Sequence, residues 1–244
     1  MGLLALAAVG VGAFAVEAAL RDRSGRDAAS AGEATAMLEV PAATAAASAG
    51  SPGSGVGDPL RGRDRVSAPL PESGPGTFRV AEVTRPPPAG TRTRYSVEVE
   101  DNLEASGLLA GSVAAEVSAV LSHRRGWVGG QAGLLEPTDT DPDLRILLAT
   151  PATTDRLCAP LNTRGELSCR NGQMVVLNAR RWTRGAPAYA GRLPGYRRYL
   201  VNHEVGHALG NGHATCPGPG RPAPVMLQQT LGLDGCRPNP WPRP

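Results

Sequence analysis

The chain has 244 residues, with 31 Gly, 23 Pro and 4% aromatic residues, so part of it cannot bury a core, and one compact domain with a flexible extension is expected. Its formal net charge of +3 is spread along the chain rather than gathered in a stripe, which argues against a nucleic-acid partner. All 25 basic residues are Arg, and the four Cys (158, 169, 216 and 236) include no C-x-x-C pair, which favours disulfides and an oxidising compartment.

Residues 2–16 form an uncharged apolar run that ends before Glu17 and the cluster Arg21-Asp22-Arg23. Residues 1–23 therefore read as an export segment, either cleaved as a signal peptide near Ala13-Phe14-Ala15 or retained as a membrane anchor through residues 2–20. The absence of any Cys before 158 excludes a lipid-modified N-terminal cysteine. Residues 24–76 are rich in Ala, Ser, Gly and Pro and bury too little apolar surface to offset ordering entropy, so they are expected to form a disordered linker. The globular domain is then 77–244.

Phe78 to Val83 and Arg94 to Glu100 both alternate apolar and polar residues, as half-buried strands do, with Pro86-Pro87-Pro88 between them. Leu108, Leu109, Val113, Val117, Val120 and Leu121 share one helical face, predicting a helix over about 106–122. Leu144 to Ala149 is nearly continuous in apolar residues and reads as an interior strand. Asn171-Gly172 signals a hairpin between Leu167-Ser168-Cys169 and Met174 to Leu177, because both residues tolerate positive φ. A further helix begins around Tyr196.

That helix runs into HEVGHALGNGH at residues 203–213. Residues four apart share a helical face, so His203 and His207 can present imidazoles to one ion, with Glu204 placed to reach a water beside it. Gly210 can take the left-handed conformation that ends a helix, and Asn211-Gly212 then delivers His213 as a third ligand. Three neutral imidazoles with one open position are a catalytic zinc pattern, with Glu204 as general base. The motif takes three of the four His in the chain; the fourth, His123, sits beside Arg124 and Arg125 at a helix C-terminus and reads as structural.

The eleven residues match H-E-x-x-H-x-x-G-x-x-H at every fixed position and so resemble the metzincin zinc endopeptidases. The resemblance implies an α+β fold with a twisted mixed sheet, a backing helix and an active-site helix. It also implies a Met-turn, which Pro224-Val225-Met226 resembles, with Met226 as the floor of the site. From about Phe78 onward the chain also resembles an uncharacterised secreted actinobacterial domain family, through ATPATTDRLCAPL, LSCRNG, LVNHEVGHALG and PAPVM followed by LGLDGCRPNPW. Leu227-Gln228-Gln229 follows Met226 where some metzincin subfamilies place a Tyr near zinc, so no tyrosine ligand carries over. No pro-segment with a latency cysteine is evident either.

The expected function is a secreted or surface-tethered zinc metalloendopeptidase that binds one Zn2+, acts as a monomer on protein, peptide or cell-wall peptide, and contacts no nucleic acid. Two alternatives remain: a non-catalytic zinc-stabilised surface binding module, and a cell-wall amidase. Substrate is expected along an edge strand, with Val176 to Ala179 as the candidate. Cys158 with Cys169 would close a short loop before the hairpin and Cys216 with Cys236 would brace the Met-turn, other pairings staying open. A fourth-ligand role for Cys216 would instead close the site. Trp127, Trp182 and Trp241 are expected to pack in or at the edge of the core.

Overall fold

A mixed sheet carries the site, and its central strands come from sequence runs apolar enough to be covered on both faces. In the computed structural model, residues 69–84, 93–127 and 135–243 are described, all within the unit Val56–Pro244. The export segment, most of the linker and the Pro86-Pro87-Pro88 turn lie outside the described residues. The strands are β1 (Phe78–Val80), β2 (Thr93–Glu100), β3 (Leu135–Pro137), β4 (Leu144–Ala149), β5 (Cys169–Asn171) and β6 (Met174–Asn178). They are ordered β1-β2-β4-β6-β5, with β3 pairing the start of β2. Strands β2, β4 and β6 are parallel, while β1 and β5 add antiparallel at the two ends.

Side-chain alternation divides the core. Val97, Val99, Ile146, Leu148, Val175 and Leu177 face α1 (Ala110–Leu121) and α4 (Leu193–Ala208). Leu147, Ala149 and Val176 face the other way, with Cys158 at the end of α2 (Pro151–Cys158). A short α3 (Ala179–Arg184) follows β6, its N-terminus capped by Asn178 Oδ1, which accepts from the Arg180 amide at 2.9 Å. The molecule is thus an α+β domain with a mixed sheet, as expected.

Four details differ from the sequence reading. Strand β2 is buried on both faces rather than half-buried, because its carboxylates find partners. Glu98 accepts from Ser96 Oγ and pairs with Arg145, while Glu100 accepts from the Thr150 amide at 2.8 Å and Thr153 Oγ1 at 2.7 Å. Helix α1 starts at Ala110 rather than near 106: a 3-10 stretch, Asp101–Ser106, ends on Gly107 in the left-handed region, and Leu109 is exposed. The hairpin turn is Gly172-Gln173, with Asn171 in the strand and Gly172 alone at positive φ, +58°. Residues 69–76, assigned to the linker by composition, pack on the domain: Leu70 touches the core, the Glu72 carbonyl accepts from Ala152, and the Gly76 amide donates to Glu100 at 2.9 Å.

Candidate functional site

Helix α4 is buried through most of Tyr196 to Gly206, so His203 and Glu204 enter the site from its covered face. The helix ends as the sequence implies. Gly210 takes φ +86°, its amide donates to the His207 carbonyl, and the Asn211 amide reaches back to Gly206. This is the two-bond pattern of a Schellman cap, and it turns the chain so that His213 returns to the helix.

The ligand nitrogens of His203, His207 and His213 lie within 4.8 Å of one another. His203 Nδ1–H donates to the Val225 carbonyl and His207 Nδ1–H to the Asn211 carbonyl, each at 2.9 Å. Those bonds fix the tautomers and leave both Nε2 lone pairs for the site. His207 Nε2 and His213 Nε2 are 3.1 Å apart. A tetrahedral ion with bonds of about 2.0–2.1 Å sets its ligand nitrogens about 3.3 Å apart, close to the separation of this one pair, and the three histidines together could hold a metal ion.

Electrostatics favours the same state. Burial, followed by the neighbouring His207 and His213, pushes His203 down to about 4, outweighing the opposing bond to Val225; burial also lowers His213. Neutral imidazoles are what a metal requires. Glu204 is 5% exposed, and burial pushes its carboxyl up to about 8. It has no hydrogen-bond partner among the described residues and lines the cleft with the three histidines.

Met226 packs against α4 at Gly206. It is 6% exposed, and its sulfur would be 2.5 Å from a Cβ placed at Gly206. Cys216 is bonded to Cys236 and Cys158 to Cys169, which forms the expected pairs and removes Cys216 as a fourth ligand. No Tyr is free to ligate in that cleft: the Tyr199 hydroxyl donates to the Leu227 carbonyl at 3.1 Å. His123 stacks on Trp241 with centroids 4.2 Å apart, in keeping with a structural role. Trp182 and Trp241 are buried, and partly buried Trp127 donates from Nε1 to the Asn202 carbonyl at 2.9 Å.

The edge-strand candidate needs correcting. Val176 to Ala179 lies in and just after β6, which is covered by β4 on one side and β5 on the other. The strand beside the histidines is β5, whose Cys169 and Arg170 line the cleft. The antiparallel ladder pairs Arg170 with Val175 as a non-hydrogen-bonded pair, so the Arg170 amide and carbonyl point to the free side. Three polar residues around the site escaped the sequence reading: Arg170, Gln229 and Asn239. The first stands in a three-residue strand, too short for a periodic signal, and the other two read as loop polars.

The fold and site define a disulfide-braced α+β domain with three convergent histidines beside a buried glutamate. The chain belongs to the family described as a protein of unknown function, DUF3152, whose family model matches residues 65–244. That match begins upstream of residue 77, in keeping with the packing of residues 69–76. No curated protein and no solved structure matches the chain. The two disulfides place the domain in an oxidising, extracytoplasmic environment, and no helix among the described residues is long and apolar enough to cross a membrane.

Proposed function

We propose that the protein is a metzincin-type zinc metalloendopeptidase, exported through residues 1–23 and either released or tethered by them. The observation that carries this reading is a buried glutamate with no hydrogen-bond partner among the described residues, one residue from the first of three convergent imidazoles, two of which, His203 and His207, have their tautomers fixed. A site built only to hold an ion needs no such base. His203, His207 and His213 would hold the zinc, which when bound supplies Lewis acidity. Glu204 takes a proton from the attacking water on one carboxylate oxygen and returns it to the departing amine nitrogen. The free side of β5 offers the Arg170 amide and carbonyl to an extended peptide, which fixes the scissile bond across the histidines.

The test compares the wild-type chain, His203→Ala and Glu204→Gln for zinc content and for cleavage of a peptide library and of cell-wall fragments. One zinc per wild-type chain is expected, lost in His203→Ala and kept in Glu204→Gln, with peptide turnover down about 10²–10⁴-fold in the latter. Zinc without turnover in the wild type would favour a binding module, and cleavage confined to cell-wall amides would favour an amidase. A wild-type chain without stoichiometric zinc sinks all three.

A further inference from the structure

Five consecutive carbonyls, from Ala223 to Leu227, adjoin the histidine site, and each accepts from a different residue. The Ala223 carbonyl accepts from Asn239 Nδ2 at 2.9 Å and that of Pro224 from Gln229 Nε2 at 3.2 Å. The Val225 carbonyl accepts from His203 at 2.9 Å, that of Met226 from the Ala214 amide at 3.0 Å, and that of Leu227 from the Tyr199 hydroxyl at 3.1 Å. The first two bonds thus come from buried polar side chains that do not themselves line the cleft. The next two reach the site, one through the His203 ring and the other through the residue after His213.

Gln229 and Asn239 are built as a clamp. Gln229 is fully buried, and its side chain uses all four hydrogen-bonding positions. Oε1 accepts from the Tyr189 hydroxyl at 2.8 Å and the Asn239 amide at 3.0 Å, while Nε2 donates to the Pro224 and Asn239 carbonyls. Asn239 is 5% exposed and exchanges two further bonds with the Trp241 backbone. A buried amide with every position used has no second arrangement at similar energy.

The geometry points to Gln229 and Asn239 as positioning residues for the histidine site. By fixing the Ala223 and Pro224 carbonyls they set where the Val225 and Met226 carbonyls lie, and so the ring orientation of His203 and the place of His213. The inference rests on the metal reading above. Partners of this kind, one bond removed from a ligand, set metal affinity without touching the ion.

The experiment titrates the full chain with cobalt against a competing chelator and records the visible absorption of the bound metal. Variants are Asn239→Asp and Gln229→Glu, each of which replaces an NH2 that donates two bonds by an accepting oxygen, with Tyr189→Phe as a control that removes a bond to Gln229 but none to the turn. Expected are a cobalt affinity at least about 10-fold weaker and a shifted absorption band in both variants, with wild-type values in the control. Wild-type affinity and spectrum in both variants overturn the inference, as does a weakening that only follows a loss of melting temperature shared with Tyr189→Phe. If Asn239→Asp does not fold, Asn239→Ser, which is smaller and keeps a donor, decides in its place. A wild-type chain that takes up no cobalt overturns the metal reading and this inference together, whereas unaffected variants overturn this inference alone.

Discussion

Gly206 stands between the two helical histidines, where an ideal Cβ would come within 2.5 Å of Met226 Sδ and 2.8 Å of Trp127 Cζ2. A helix interior ordinarily favours Ala over Gly by about 1 kcal/mol, but the added carbon must displace an indole ring and the Met226 side chain, at about 1–3 kcal/mol. Overpacking should win. Gly206→Ala is expected to lower the melting temperature by a few degrees, measured by calorimetry; a rise would show that Met226 and Trp127 yield freely. Glu204 leaves a different mark, in the metal-free protein. Its folded value of about 8 lies above the ordinary 4.5, so its contribution to stability is fully present below pH 4.5 and is lost as the pH rises through 8. Glu204→Gln has no such loss, and the depressed His203 is common to both proteins, so it cancels. Between pH 5 and 8 the variant should gain several degrees of melting temperature on the metal-free wild type, and parallel pH profiles would refute the assignment. The three histidines, Glu204 and Gly210 could be read from the sequence because one helix turn and one cap fix their spacing, whereas Met226 stood out only through the family resemblance. Gly206 could not, since its constraint comes from Trp127 and Met226, which are far away in the chain.

Among the elements, strand β4 and helix α4 follow from local pattern, a continuous apolar run and a buried helix leading into the histidines. Helices α2 and α3 were not foreseen. They span eight and six residues, too few turns for a helical period to register, and their cues were a Pro at the start of α2 and the Asn178 cap of α3. Composition also misplaced the start of the domain, because residues 69–76 are held mostly by hydrogen bonds and an ion pair, with Leu70 as the one apolar side chain packed on the core. Glu72 pairs with Arg180, Asn102 Nδ2 donates to the Ser73 carbonyl at 2.9 Å, and Ser106 Oγ donates to that of Pro69 at 3.1 Å. With the Gly76 bond, this segment covers buried Glu100, which would otherwise lose an acceptor interaction in a dry setting. A chain beginning at Thr77 should therefore melt several degrees below one beginning at Arg65, a difference of about 2 kcal/mol from a few hydrogen bonds. Equal melting temperatures would show that the segment adds no stability.

For the whole molecule, the two disulfides divide the labour of bracing the site. Cys158–Cys169, 11 residues apart, ties the end of α2 to the edge strand β5, whereas Cys216–Cys236, 20 residues apart, encloses the segment that holds Met226 and the five carbonyls. Chain entropy makes each worth about 3 kcal/mol, so removing either by paired Ser substitution should lower the melting temperature by a similar amount. Metal affinity should not respond alike. Opening Cys216–Cys236 frees the return from His213 and the Val225 carbonyl, and zinc affinity is expected to fall about 10-fold or more. Opening Cys158–Cys169 loosens β5 while leaving every histidine bond in place, so zinc should stay within about two-fold of wild type and peptide turnover should fall instead. Chelator titration of both double variants, beside their melting curves, separates the two roles. Equal losses of zinc affinity from the two pairs would show that the site responds to global stability and not to the loop that carries Met226 and the five carbonyls.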